Sequence, residues 1–399
     1  MAEAFLVGGA RTPVGRYGGV LATVRADDLA ALVIGETVRR AQADSPLFNT
    51  DLIDEVILGN ANQAGEDNRN VARMATLLAG LPDSIPGITV NRLCASGLSA
   101  ITMAAQAIRA GDADVIVAGG VESMTRAPWV QGKPERAFAK PGPQFDTSIG
   151  WRFTNPRLAA RDKATFSMPE TAEEVARVEG ISREDADAFA LTSQQRATAA
   201  LDAGRFADEI VGVPTRSGEV LLDEGPRRDS TLAALAGLRP VVPGGSVVTA
   251  GNASSLNDGA SALLVASGAA VQRYGLVPRA RIVTGVTVGL APEIMGMGPV
   301  PATQKALARA GLEVGDLGSV ELNEAFATQS LACIRRLGLD PARVNADGGA
   351  IALGHALGSS GARLLVTLLG RMAREESRYG LATMCVGVGQ GSAMIVERV

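Results

Sequence analysis

Short apolar runs alternate along the chain with longer stretches whose apolar residues recur every three or four positions. This is the pattern of buried strands alternating with amphipathic helices. Glu55 to Gly59 reads as a strand and Asn68 to Ala79 as the helix after it. Ile88 to Asn91 reads as the next strand, and the helix from about Ala95 to Arg109 carries Leu98, Ile101, Ala105 and Ile108 on one face. Asp114 to Gly120 is a further strand that closes a βαβ unit.

The same plan returns near the C-terminus. Gly318 to Asn323 reads as a strand leading into a helix that contains Ala325 to Arg336. Val344-Asn345 opens a glycine-rich loop, a helix runs from about Ser360 to Arg374, and Leu381 to Cys385 is a strand entering another glycine turn. Asn91 precedes Cys94 as Asn345 precedes the loop of His355. The pattern implies an internal duplication, two similar α/β halves sharing one core, with Cys385 a strand-end thiol of the second half as Cys94 is of the first.

Between the halves the alternation breaks. Pro128, Pro134, Pro141, Pro143 and Pro156 punctuate an irregular stretch. Thr171 with Glu174 and Ser182 with Asp185 each have capping-box spacing before Ala-rich helices. The expected organisation is a first half from 1–120 and 246–275, an inserted lid from 121–245, and a second half from 276–399.

Composition narrows the function. A chain of 399 residues, 46% hydrophobic and 20% charged, is a globular α/β protein of two or three units rather than a disordered or fibrous one. The net charge of −4 and the absence of a Lys/Arg block argue against a nucleic-acid partner. No apolar run is long enough for a membrane span, no secretory signal is recognisable at Met1-Ala2-Glu3-Ala4-Phe5, and Glu397-Arg398-Val399 is not a peroxisomal address. Three cysteines without zinc spacing, and one histidine, argue against a disulfide framework or a metal site. They favour a cytoplasmic enzyme with reduced thiols.

Few residues are left to carry chemistry. Cys94 falls at a strand-to-helix junction, where unpaired N–H groups and the helix dipole favour a thiolate; a small buried hydrophobe is the competing reading, and position alone does not separate them. His355 is the sole imidazole, in a loop with four glycines, and is the only base a cysteine nucleophile could recruit. Cys385 is a second strand-end thiol suited to proton transfer to carbon, or else a packed core residue. Asn323, in Asn323-Glu324-Ala325-Phe326, could bind an oxyanion or a water, or simply cap a helix. Cys333, inside a helical pattern, reads as structural. The Gly-X-Gly-X-Gly of 387–391 lies too near the end for the βαβ unit of a dinucleotide site.

Six segments taken together resemble the thiolase family: Asn91 to Gly97, Gly119 to Met124, Thr249 to Ser254, Asn323 to Phe326, Gly348 to Gly361 and Cys385 to Gly391. The resemblance implies a five-layered α-β-α-β-α fold whose insertion is a coenzyme A-binding loop domain. It implies Cys94 as nucleophile, His355 as its base and later the base for the CoA thiol, and Cys385 as the acid that protonates the acetyl-CoA enolate. Asn323 would hold a water that, with His355, stabilises the thioester oxygen. The N–H groups of Cys94 and Gly387 would form a second oxyanion hole. Arg227 would lie near the nucleotide of CoA, Ala250, Ser254 and Leu256 along its pantetheine, and Met168, Met295, Ala325 and Phe326 near the thioester. No resident cofactor or metal is implied; CoA is a co-substrate, and the assembly is a homodimer or homotetramer.

Within the family, Ala64 to Asn70, Ile149 to Phe153 and Ser167 to Glu173 look like the branch that cleaves 3-oxoadipyl-CoA to succinyl-CoA and acetyl-CoA in aromatic-acid catabolism. Acetoacetyl-CoA thiolases commonly carry His-Met where this chain has Ser167-Met168. A dicarboxylic substrate needs a cation for its far carboxylate, for which Arg126 and Arg152 are candidates. Two positions depart from the family pattern: Ala356 replaces the usual proline after the histidine, and Ala234 a serine often found beside CoA. The alternatives are an acetoacetyl-CoA or general 3-ketoacyl-CoA thiolase, a decarboxylating ketoacyl synthase, a cysteine hydrolase and a non-catalytic CoA- or lipid-binding module. A ketoacyl synthase would need a second histidine or an equivalent partner, and a hydrolase leaves Cys385 unused.

Overall fold

The computed structural model describes residues 2–399. Its strands are β1 (Ala4–Arg11), β2 (Glu55–Gly59), β3 (Gly87–Val90), β4 (Val115–Ser123) and β5 (Asn257–Ser267) in the first half, then β6 (Ala280–Gly289), β7 (Leu317–Leu322), β8 (Tyr379–Val386) and β9 (Gln390–Arg398) in the second. The main helices are α1 (Ala26–Asp44), α2 (Val71–Leu78), α3 (Ser96–Ala110), α4 (Met168–Glu179), α5 (Arg183–Asp202), α6 (Pro299–Ala310), α7 (Ala327–Leu337) and α8 (Leu357–Arg374).

The strands follow the order β7-β8-β9-β6-β1-β5-β4-β2-β3. β2 runs parallel to β3 and β4, and β7 parallel to β8. The halves join where Phe5 and Leu6 of β1 pair with Arg281 and Ala280 of β6. Each half repeats one connectivity: β6 matches β1, β9 matches β5, β8 matches β4 and β7 matches β2. Val344, bridged to Val320 of β7, takes the place of β3. The duplication is therefore real, with one correction. Cys385 lies on β8, whose counterpart is β4, whereas Cys94 follows β3 and its counterpart is the loop leading to His355.

Every residue of β4 and β5 is buried, which is why these strands read as near-continuous runs of Val, Ala, Leu and Ile. α1 and α2 cover the outer face of the first half. α3 and α8 lie between the halves, in one apolar cluster with Ile57, Ile116, Leu263, Met384 and Met394. α6 and α7 cover the outer face of the second half. The five layers run α-β-α-β-α.

α3 and α8 approach so closely because glycine lines their contact. A Cβ on Gly97 would stand 2.6 Å from the Gly358 carbonyl oxygen, and one on Gly361 would overlap the Leu98 backbone. Gly358, which reads as loop in the sequence, therefore belongs to the first turn of α8.

In the insertion, α5 is capped by Ser182, whose hydroxyl accepts the Asp185 N–H at 3.1 Å, as its spacing predicts. α4 begins earlier than predicted. Its capping box is Ser167 with Glu170, Pro169 sits in the first turn, and Thr171 is buried inside the helix with its hydroxyl on the Met168 carbonyl. α4 and α5 pack mainly on the second half, sharing a cluster with Ala327, Ala332 and Ile351.

Candidate active site

The two central helices present equivalent positions. Cys94 immediately precedes the N-cap of α3, Ala95, and His355 immediately precedes the N-cap of α8, Ala356. The Cys94 turn is built by side chains closing on backbone. Asn91 accepts the Leu93 N–H at 2.8 Å and donates to the Ala61 carbonyl at 2.9 Å. Ser96 accepts the Arg92 N–H and donates to the Leu93 carbonyl. Leu93 adopts a left-handed φ of 47° to complete the turn.

Two N–H groups, those of Gly387 and of Cys94 itself, face the Cys94 sulfur and pull its pKa down, yet burial prevails and pushes the thiol up to about 11. The free site therefore holds a neutral thiol, although the helix start favours the thiolate. Desolvation of the anion outweighs what two N–H groups and a helix end return.

The loop to His355 is held from several sides. Asn345, at φ 47°, clamps both backbone groups of Leu322 and donates to Glu324. Glu324 also accepts from Ser193 at 2.6 Å and from the Ile351 N–H at 3.2 Å. Gly354, at φ 109°, lies against the Asn257 amide where a Cβ would overlap it, and Asn257 accepts the His355 N–H at 2.8 Å.

His355 Nδ1 lies 2.6 Å from Ser360 Oγ, and the Ser360 hydroxyl donates to the Ala356 carbonyl at 2.8 Å. A hydroxyl has one proton to give, so Ser360 accepts from Nδ1–H and leaves Nε2 with its lone pair. Burial, helped by the charge of Arg363, lowers the imidazole to about 4. It is neutral near pH 7 and able to accept a proton at Nε2.

Asn323 Nδ2 lies 3.4 Å from that Nε2. The capping explanation for Asn323 fails, because α7 starts at Ala327 with Phe326 as its N-cap. Instead, Asn323 Oδ1 is buried with no hydrogen-bond partner, an acceptor left for a water or a ligand.

Glu122 ties the segment after β2 to the start of α8. Its carboxylate accepts the N–H groups of Ala61 at 2.9 Å, Asn62 at 3.1 Å and Gly358 at 2.9 Å. Burial raises it to about 7 against those three donors, and its charge acts on Cys94. Cys385, at the end of β8, shares an apolar cluster with Met168, Met295, Ala325 and Phe326. Burial, then the neighbouring Cys94, holds its thiol well above the ordinary range. The charge of Cys94 thus reaches the Cys385 sulfur.

The other predicted residues form a graded series. Arg227 and Ala250 are exposed; Ser254 and Leu256 are half-buried; Met295, Ala325 and Phe326 are buried. The Arg227 N–H donates to Gln194, the Ser254 N–H donates to the Ala325 carbonyl at 2.9 Å, and Leu256 pairs with His355. Met168 flanks Gly387, its sulfur 3.7 Å from where a Gly387 Cβ would stand.

Arg126 does not meet its expectation. Its Nε and Nη2 both bind Glu66 at 2.5 Å, and Nη1 the Ala22 carbonyl, so the guanidinium is already committed. Cys333 is buried in α7 with its thiol on the Gly296 carbonyl, a structural residue as read. Among the described residues no cluster of His, Cys, Asp and Glu has the makings of a metal site, and no helix is long and apolar enough to cross a membrane.

A model of the thiolase N-terminal domain matches residues 4–269, and one of the thiolase C-terminal domain matches residues 276–398. The chain belongs to the thiolase family. As a thiolase it is an acyltransferase. It is 56% identical over 406 aligned positions to the 3-oxoadipyl-CoA/3-oxo-5,6-dehydrosuberyl-CoA thiolase of Escherichia coli K12, covering 100% of both chains. It is 55% identical to the beta-ketoadipyl-CoA thiolase of Pseudomonas aeruginosa, covering 100% of this chain and 99% of that one. Among solved structures, human mitochondrial 3-ketoacyl-CoA thiolase in complex with CoA superposes with a TM-score of 0.92 at 39% identity, over 100% of this chain and 99% of the other.

The sequence alone assigns no role to Glu122, Glu324, Asn257 or Ser360. Glu122 and Glu324 do lie within motifs that carry the family resemblance, and a carboxylate inside an apolar or glycine-rich run is the signal that marks them.

Proposed function

We propose that this thiolase cleaves 3-oxoadipyl-CoA with CoA to succinyl-CoA and acetyl-CoA through an acyl–Cys94 intermediate. Support for the chemistry is that Cys94 and His355 stand one residue before the N-caps of two central helices whose first turns meet at Gly97 and Gly358, with the thiols of Cys94 and Cys385 protonated and His355 Nε2 left its lone pair. Support for the substrate is identity above one half, end to end, with thiolases named for that compound.

The steps balance. Cys94 attacks the C3 ketone while His355 Nε2 takes its proton, and the N–H groups of Cys94 and Gly387 receive the alkoxide. The C2–C3 bond breaks, and the imidazolium and a water on Asn323 hold the thioester enolate. Cys385 protonates C2, and the imidazolium proton returns to Cys385. His355, neutral again, removes the proton of the incoming CoA thiol; the CoA sulfur attacks the acyl carbon, the acyl–Cys94 bond breaks to release succinyl-CoA, and the imidazolium returns its proton to the Cys94 thiolate. The scheme uses side chains and two acyl carriers and calls on no resident cofactor. CoA would enter with its nucleotide near Arg227 and its pantetheine along Ala250, Ser254 and Leu256.

Reduced cysteines suit work in the cytoplasm. β3 is an unpaired sheet edge, flanked by exposed Leu77, Leu78, Ile88 and Met103. These features support a dimer through that edge, which sedimentation would test. We place the boundary between the halves at 269–276, where the two family models meet, and start the insertion beyond Ser123, where β4 ends.

Two measurements test the reading. Brief incubation with substrate leaves an acyl mass on the peptide that contains Cys94; an unmodified peptide from active enzyme refutes the intermediate. Turnover of 3-oxoadipyl-CoA exceeds that of acetoacetyl-CoA, and the reverse order returns the enzyme to the acetoacetyl-CoA branch.

A further inference from the structure

A carboxylate three carbons beyond the attacked ketone has to be met by a cation that is not already neutralised. Near the catalytic loops most candidates are spent. Arg126 is held by Glu66, Arg25 by Asp27 and Glu66, and Lys163 by Glu174. Arg152 differs. It is half-buried, has no acidic partner, and makes one long hydrogen bond, from Nη2 to Asn62 Oδ1 at 3.4 Å. Most of its planar donor fork stays free for a carboxylate.

Arg152 is also connected to the reaction centre from two directions. Asn62 gives its N–H to Glu122, the carboxylate that also holds Gly358 below His355. Its neighbour Ala61 accepts the Asn91 amide that shapes the Cys94 turn. The Asn62 amide nitrogen is taken by Thr147 at 3.2 Å, so its oxygen is the atom turned to Arg152. From the other side, Trp151 donates to the Phe166 carbonyl, at the start of α4, where Met168 flanks Gly387. The Arg152 segment thus spans the gap between the wall carrying Cys94 and the wall carrying Met168.

We propose that Arg152, oriented by Asn62, binds the distal carboxylate of a dicarboxylic 3-oxoacyl-CoA and sets the chain specificity of the enzyme. This inference rests on the reaction proposed above. Acetoacetyl-CoA has no group that reaches Arg152, and a neutral chain of equal length gains nothing from it.

The test compares wild type, Arg152→Met and Arg152→Lys on 3-oxoadipyl-CoA and on 3-oxohexanoyl-CoA, which has the same chain length without the charge. Arg152→Met is expected to lose roughly ten- to a hundredfold in kcat/KM on 3-oxoadipyl-CoA, the value of a charged hydrogen-bonded pair, and little on 3-oxohexanoyl-CoA. Arg152→Lys should recover part of the loss. Retained turnover of the neutral substrate shows that the variant is folded. An unchanged ratio between the two substrates in Arg152→Met overturns the role of Arg152 while leaving the reaction intact, as does an equal fall on both. A wild type without preference for the charged substrate overturns the substrate reading as well.

Discussion

His355 and Ser360 are joined at 2.6 Å through Nδ1 and Oγ, and the serine proton is already given to the Ala356 carbonyl. That relation decides which imidazole nitrogen is the base. Ser360→Ala removes the acceptor for Nδ1–H and frees the ring to take the other tautomer. A fall in kcat of roughly ten- to a thousandfold is expected, since loss of a tautomer-fixing partner costs up to about 10⁴ in a hydrolytic triad. The KM for CoA should hardly move. Steady-state kinetics on the purified variant checks this, and an unchanged kcat would remove Ser360 from the positioning role.

The depressed pKa of His355 makes a pH prediction with a definite sign. The base works when unprotonated, so acylation of Cys94 by acetyl-CoA should lose its rate only as pH falls toward about 4, not through the ordinary histidine value of 6.5. The same shift acts on stability. Between 6.5 and about 4 the unfolded chain binds a proton at His355 that the folded chain refuses, so acid costs stability there. Glu122, raised from 4.5 to about 7, acts oppositely: its folded form keeps a proton that the unfolded chain releases, and rising pH costs stability through that window. His355→Asn should therefore make melting less sensitive to acid than wild type. Parallel melting curves for the two proteins across this range would rule the shift out.

The two-half plan was legible because buried parallel strands and amphipathic helices leave strong periodic signals, as in Glu55 to Gly59 and the Leu98–Ile108 face. Cys94 and His355 stood out by rarity and by their neighbours. The deciding partners did not, because their contacts are remote in sequence: Glu122 meets Gly358 across 236 residues. Local spacing also misled where tertiary packing overrode it. Thr171 and Glu174 have the spacing of a cap, but Ser167 with Pro169 starts the helix one turn earlier. Arg126 read as free because Glu66, sixty residues away, gave no local sign of pairing. The helix end favours a thiolate at Cys94, and only the packed surroundings of this half-buried thiol show that desolvation prevails.

Gly358 carries the contact between the two central helices. Its own N–H binds Glu122, and a Cβ there would overlap the Val121 carbonyl and press on Gly59. Gly358→Ala should cost about 1–3 kcal/mol, the range for overpacking a filled core. Activity should fall further than stability, because the strain pushes the start of α8, and His355 just before it, away from β4 and the end of β2. Chemical denaturation and kcat on the same sample test both statements; a variant with full stability would show that the backbones have room to part.

Cys385 lies beneath the reacting carbon in the proposed scheme, and its chemistry can be separated from that of Cys94. Burial keeps its thiol protonated, which suits an acid that must hold a proton until an enolate forms beside it. Serine preserves the shape but is a far weaker acid. Cys385→Ser should slow exchange of the acetyl-CoA methyl protons with solvent by roughly 10²–10⁴, the typical worth of general acid–base catalysis. Acylation of Cys94 by the same thioester forms no enolate and should stay within about tenfold of wild type, since its proton goes to His355. Deuterium incorporation followed by mass spectrometry measures the first quantity, and the acylated Cys94 peptide measures the second. Equal losses in both would mean that Cys385 supports the nucleophile and does not protonate carbon.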